Sequence, residues 1–190
     1  MRLKHFIILL FSLVFLACSK EATICEIKTT KGLIIVELYP DKAPNTVANF
    51  TKYVSNNLYD NSNFFRVCTK ENEADRDIKI EVIQGGDISE DKLFPPIEME
   101  TTSQTGIKHK HGTISMARDT PNSAQSNFFI CINDQPELDY QGKRHPDKQG
   151  FAAFGKVVKG MDIVLKIQSQ KNSGQKLITP VTIKSIRIID

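Results

Sequence analysis

Four histidines and four cysteines stand in these 190 residues, and no two of them share a spacing that would build a metal site. No metal is therefore expected. The one Gly-Gly run, Gln84-Gly85-Gly86-Asp87, lacks both a G-x-G-x-x-G frame and a following helix start, which sets nucleotide binding aside. A basic stripe is also missing. Arg2 and Lys4 account for two of the formal +3 charges, leaving +1 on residues 18–190, so nothing argues for nucleic acid. The sequence has no internal repeat and no low-complexity tract. Its one long apolar run, residues 6–16, is too short to span a bilayer as a stable helix.

That short run follows a basic start, Met1-Arg2-Leu3-Lys4-His5, and leads into Phe15-Leu16-Ala17-Cys18. A small residue before a cysteine after such a run resembles a bacterial lipoprotein signal. The resemblance implies removal of residues 1–17, lipidation of Cys18, a tether over 18–22, and a folded domain over 23–190. Ser19 after the cysteine favours sorting to the outer membrane, facing the periplasm. The alternative is an ordinary cleaved signal peptide with an incidental cysteine. With Cys18 lipidated, Cys25, Cys68 and Cys131 remain, an odd number. A Cys25–Cys68 bridge and free thiols both stay open, while Cys131, inside an apolar run, reads as a buried small hydrophobe.

About 170 residues suit one domain with a proper core. Residues 24–28 and 33–38 read as strands around a turn at Thr29-Thr30-Lys31-Gly32. Residues 40–59 read as a helix, with Pro44 in its first turn and Val47, Phe50 and Val54 on one face. Strands are expected at 64–68, 78–84, 113–117 and 128–132. Residues 69–77 and 140–150 read as polar loops, and Pro95-Pro96 argues against regular structure around 91–106. A second helix covers 160–169, with Ile163, Val164 and Ile167 inward. A last strand covers 181–188, its apolar parity slipping between Ile183 and Ile186 as a bulge would make it. Many short strands and only two helices point to a mainly β, closed antiparallel barrel.

The stretch from Gly112 to Ile132, GTISMARDTPNSAQSNFFICI, sharpens this. A strand end of small residues, a long Asp/Pro/Asn/Ser loop and then S-N-F-F-I resemble the central signature of the cyclophilin-type peptidyl-prolyl isomerases. The resemblance extends upstream to Phe64-Phe65-Arg66-Val67 and Val82-Ile83-Gln84-Gly85-Gly86-Asp87. Downstream it takes in Leu138-Asp139, Phe151-Ala152-Ala153-Phe154-Gly155-Lys156-Val157 and Val158-Lys159-Gly160-Met161-Asp162, in the family's order across about residues 25–188. It implies an eight-stranded antiparallel barrel capped by two helices, acting without cofactor and as a monomer on proline-containing polypeptides of the envelope or export route.

Rotation about an X–Pro bond breaks no bond but crosses a barrier of about 18–20 kcal/mol set by amide resonance. A site that speeds it needs an apolar slot for the ring, anchors for the flanking backbone and a donor aimed at the proline nitrogen. Arg66, permanently charged and rich in N–H groups, suits the donor. Antiparallel pairing can set it beside Gln84, which by resemblance binds substrate backbone and orients Arg66. The family's slot maps onto Val82, Phe129 and Leu138, with Phe65 and Phe151 beside them. Ala117 and Arg118 present backbone groups, and Asn127 stands where Gln is usual. Glu81 replaces a pocket Phe, with Ile80 filling part of that wall, and Glu137 replaces a rim aromatic. These departures imply a weaker or more selective enzyme, with Glu137 favouring Lys or Arg near the proline. The competing reading is a cyclophilin-fold binding module or holdase that keeps the groove without turnover.

Overall fold

The computed structural model describes residues 23–189. The signal segment, Cys18 and the tether lie outside the described residues. Eight strands close into an antiparallel barrel in the order β1-β2-β7-β5-β6-β4-β3-β9, with β9 pairing back onto β1. They are β1 (Thr23–Thr29), β2 (Leu33–Leu38), β3 (Ser62–Cys68), β4 (Val82–Gly85), β5 (Thr113–Met116), β6 (Phe128–Cys131), β7 (Ala152–Lys159) and β9 (Lys176–Ile189). Closure leaves no long edge open. A ninth strand, β8 (Asn172–Ser173), pairs only with the start of β9 and lies outside the barrel.

Period-two alternation sends Cys25 and Ile27 of β1 and Ile34, Val36 and Leu38 of β2 into the interior, where all are fully buried. Helix α1 (Pro44–Ser55) covers one opening with Val47, Phe50, Tyr53 and Val54. Phe50 meets Tyr59, Phe128 and Phe154 with ring centroids 5.2–5.5 Å apart. Helix α3 (Met161–Gln168) turns Val164 and Ile167 inward, while Ile163 is only partly buried, against Gly32.

Several elements depart from the sequence expectation for identifiable reasons. Helix α1 is shorter at both ends: proline disfavours a helical residue before it, and Asn57 takes a left-handed conformation, φ 55°. The Glu100 carboxylate caps its start, accepting from Asn45 N (3.0 Å), Thr46 N (2.8 Å) and Thr46 Oγ1 (2.6 Å). A third helix, the single turn α2 (Thr102–Thr105), stands in the region read as irregular. Gln104 Oε1 accepts the Thr101 N–H at 2.7 Å, the return half of a capping box.

Strand β4 begins only at Val82 because side chains take the preceding backbone: Glu73 Oε2 accepts Ile80 N–H (2.7 Å) and Arg144 donates to Ile78 O (2.5 Å). Strand β9 starts earlier than expected. Its pairing with β3 passes from Phe64↔Val181 to Arg66↔Lys176, so donorless Pro180 falls in the unpaired gap. Its bulge lies where the parity slips: Lys28 pairs with Ser185 and Thr29 with Ile183, skipping Lys184. Cys25 and Cys68 are free, buried thiols and form no bridge.

Candidate active site

Outside the barrel wall, Cys68 of β3, Val82 of β4 and Phe129 and Cys131 of β6 join Ile80 and Leu138 in a second apolar cluster separate from the main core. It exists because both faces of β4 and β6 are covered. Phe128 and Ile130 point into the barrel, while Phe129 and Cys131 point out beneath a surface groove. The groove has a volume of about 860 Å³.

All ten residues singled out from the sequence as catalytic or substrate-binding line that one groove: Arg66 and Gln84, with Phe65, Val82, Ala117, Arg118, Asn127, Phe129, Leu138 and Phe151. Phe65 reaches it beside Arg66 through a bulge. Phe64 pairs with Gly85 and Arg66 with Gln84, leaving Phe65 as the extra residue, so Phe64 enters the core and the next two face the groove. The Gly-Gly-Asp after Gln84 has a steric cause. Gly86 sits at φ +90°, and a Cβ there would lie 2.7 Å from Ser126 O. Asp87 then accepts Asn63 N (2.5 Å) and Nδ2 (3.1 Å), tying off the turn.

Arg66 is held in one plane. Its Nη1 donates to Gln84 Oε1 (2.7 Å), while Nε (2.8 Å) and Nη2 (2.6 Å) both donate to Gln175 Oε1. Three of the five guanidinium N–H groups are thus engaged, and among the described residues one on each terminal nitrogen has no partner and is open to a ligand. Phe129 forms the floor, 5 % exposed, edge-on to Phe151 at 5.5 Å and stacked on the His109 ring at 5.9 Å. Ile80 and Val82 make the apolar wall. Glu81 points elsewhere, accepting from Asn133 Nδ2 at 3.2 Å. An apolar slot for a small ring, with a fixed cationic donor at its lip, is what this arrangement offers.

The Ala117 N–H donates to Asn127 O (2.8 Å), so a ligand contact at Ala117 falls to its carbonyl. Asn127 Oδ1 is buried and has no hydrogen-bond partner among the described residues. The Arg118 side chain is buried and locks the 140–150 loop. It donates to both Asp147 oxygens (2.7 and 2.8 Å) and to Gly150 O (2.7 and 2.9 Å), and lies 5.2 Å from the Phe151 ring centre. The bidentate Arg118 contact holds the Asp147 carboxyl well below its ordinary range, against the opposing effect of burial. Glu137 is not part of the groove lining. One oxygen of its carboxylate accepts the Lys143 N–H (2.8 Å).

Sequence reasoning misses three further groups. His109, Asp139 and Ser115 form a polar chain behind Phe129: His109 Nδ1–Asp139 Oδ1 is 2.8 Å and Nε2–Ser115 Oγ is 3.0 Å. A carboxylate only accepts, so Nδ1 carries the proton and Nε2 accepts from the hydroxyl. Burial pushes the His109 imidazole below its ordinary value, against the pull of Asp139. Ser115 and His109 are 0 % and 1 % exposed, so no substrate reaches this Ser-His-Asp set and its role is to hold the floor. Gln175, from the loop between β8 and β9, is the second partner of Arg66. Glu73 and Arg144 come from the two segments read as polar loops and are buried against each other. The short-range signal gives no hint of this, because a charged loop reads as solvated until its partner is known.

Comparison with known proteins points to one family. The family model described as "Cyclophilin type peptidyl-prolyl cis-trans isomerase/CLD" matches residues 24–188. A protein of Acinetobacter baylyi named "Peptidyl-prolyl cis-trans isomerase" is 36% identical over 192 residues, covering 98% of this chain and 94% of its own. "Peptidyl-prolyl cis-trans isomerase cyp18" of Streptomyces antibioticus is 33% identical over 174 residues, covering 86% and 97% respectively. "Peptidyl-prolyl cis-trans isomerase B" of Escherichia coli is 35% identical over 145 residues, covering 74% and 80%. Among solved structures, a cyclophilin type peptidyl-prolyl cis-trans isomerase of Cryptosporidium parvum superposes with a TM-score of 0.71 at 22% identity. That match covers 90% of this chain and 99% of the other, and it bears on the fold alone.

Proposed function

The chain belongs to the cyclophilin-type peptidyl-prolyl cis–trans isomerases, and we propose that it isomerises X–Pro bonds of exported proteins in the cell envelope with Arg66 as the catalytic donor. The observation that carries the assignment of the donor is the guanidinium pinned by Gln84 and Gln175 beside the slot of Val82, Phe129 and Leu138, with N–H groups to spare.

The slot takes the proline ring, and apolar burial there holds it while the acyl side turns. As the amide twists, its nitrogen loses conjugation, pyramidalises and becomes an acceptor. A donor aimed at that nitrogen binds the twisted state better than either planar isomer, which is the condition for acceleration. Gln84 and the Ala117 carbonyl anchor the flanking backbone. No proton leaves the substrate and no group is transferred, so a guanidinium with several fixed N–H donors is suited to the work.

The place of action rests on the basic, then apolar, then Ala17-Cys18 start of the chain, which supports export and a lipid anchor on Cys18. Such an anchor would hold a monomeric domain at the periplasmic side of the outer membrane, where unfolded clients arrive. Incorporation of labelled palmitate into wild type and its loss in Cys18→Ser tests the anchor.

Arg66→Ala, measured beside wild type on a proline peptide in a protease-coupled assay, tests the chemistry. Loss of a hydrogen bond from a charged donor predicts a fall in kcat/KM of roughly 10- to 150-fold. Equal low rates in both proteins would instead make this a peptide-binding module that retains the groove.

A further inference from the structure

We propose that Glu73 and Gln175 form a relay that fixes which face of its amide Gln175 presents to Arg66, making both of them positioning residues for the isomerase site. The inference rests on Arg66 being the catalytic donor.

A glutamine amide has two nearly isosteric orientations, and only one suits a guanidinium. With Oε1 toward Arg66 it accepts from Nε and Nη2 at 2.8 and 2.6 Å. Reversed, it would set an NH2 group against N–H donors. What selects between the two is the other end of the amide. Gln175 Nε2 donates to Glu73 Oε1 at 2.7 Å, and a carboxylate can only accept, so Nε2 must face Glu73 and Oε1 must face Arg66.

Glu73 is itself immobile. Its side chain is 0 % exposed and is paired with Arg144, Nη1 donating to Oε2 at 2.9 Å and Nη2 to Oε1, while Oε2 also accepts Ile80 N–H at 2.7 Å. Arg144 balances the Glu73 charge, so the relay reaches Arg66 through hydrogen-bond direction and not through an unbalanced field. Glu73 comes from the 69–77 segment and Arg144 from the 140–150 segment, more than seventy residues apart. The meeting of these two segments behind Arg66 gives a purpose to two stretches of polar sequence that the barrel itself does not require.

Steady-state kinetics of the full chain on a proline peptide test the relay, with Arg66→Ala as control. Gln175→Met, which removes the acceptor of two Arg66 N–H groups and leaves Glu73–Arg144 intact, should lower kcat at least about tenfold with KM within about twofold, since losing even one charge-assisted bond accounts for that much. Glu73→Gln should lower kcat in the same sense. The exchange Glu73→Gln with Gln175→Glu should recover it, because a carboxylate at 175 accepts from Arg66 in either orientation while the amide at 73 donates to it. The Arg66 Nε–H signal in ¹H–¹⁵N spectra, assigned by its loss in Arg66→Lys, should be protected from exchange in wild type and in the exchange variant and lost in both single variants. A packing role alone would not restore kcat or that signal in the exchange variant. If Gln175→Met keeps wild-type kcat, or the exchange variant stays as slow as Glu73→Gln, the relay is overturned. Should Glu73→Gln fail to fold, Gln175→Met decides alone. If Arg66→Ala matches wild type, the reading of Arg66 has failed; if Arg66→Ala is slow and Gln175→Met is not, only the relay has.

Discussion

Arg144→Met leaves the Glu73 carboxylate without its cation in a place water does not reach. The Glu73 side chain is 0 % exposed and that of Arg144 8 %. Breaking a buried pair from one side costs about 3–5 kcal/mol, mostly the desolvation of the charge left behind. Glu73 keeps Ile80 N–H and Gln175 Nε2, and Arg76 stands 3.8 Å away on a largely exposed side chain. These partners place the loss at the low end, about 3 kcal/mol. For a domain of this size each kcal/mol moves Tm by roughly 2–4 °C, so the variant should melt about 6–12 °C lower. Removing both charges in Arg144→Met with Glu73→Met replaces an ion pair by apolar volume and should recover part of that loss, since Ile80 N–H and Gln175 Nε2 lose their acceptor. Urea unfolding of the four proteins gives the coupling directly, expected above about 1.5 kcal/mol. If Arg144→Met unfolds within about 1 kcal/mol of wild type, the pair is screened as a surface bridge would be, and the argument from burial is wrong.

Three other outcomes follow from the same structure. His109 is neutral in the fold because burial lowers its pKa, while the unfolded chain binds its proton below about pH 6.5. Stability should therefore fall as pH drops through 6.5 toward the lower folded value, and His109→Gln should flatten the slope of urea-derived stability between pH 7 and 5; an unchanged slope would refute this. Burial pushes the Cys25 thiol up to about 12 and Cys68 to about 11, and raises Cys131 well above its ordinary value. All three should resist a thiol reagent in the native protein and label on unfolding, as peptide mass spectrometry would read, whereas native labelling would contradict their burial. Glu100→Ala removes the acceptor for three groups at the start of α1 and should cost about 1–2 kcal/mol in thermal or urea melts, with no change expected if water replaces it fully.

Much of the barrel is legible in the chain because its causes are local. Alternation in β1 and β2 sets their inward faces, and a parity slip near Ile183 marks a bulge at Lys184. The Arg66–Gln84 adjacency follows from antiparallel pairing of two short runs joined by a charged loop. The S/T-x-x-Q pattern at Thr101–Gln104 carries the signal for α2 under the misleading shadow of Pro95-Pro96. Other features have no local cause. Residues 78–80 have strand composition, yet Glu73 takes the Ile80 N–H and Arg144 the Ile78 carbonyl, so the strand starts after them. Glu137 sits where the groove rim is expected, and the nearby Lys143 N–H donates to one of its carboxylate oxygens. In each case a polar side chain competes for a partner, and which partner wins depends on where a distant loop comes to rest.

The apolar cluster of Ile80, Val82, Phe129 and Leu138 is set apart from the residues that fill the barrel. Side chains that share few neighbours contribute to stability nearly independently. Replacements on the outward face of β4 and β6 therefore reshape what the groove accepts while the interior that closes the barrel keeps its contacts. The molecule has a foundation and an interchangeable lining, so its taste in peptides can drift much faster than its architecture.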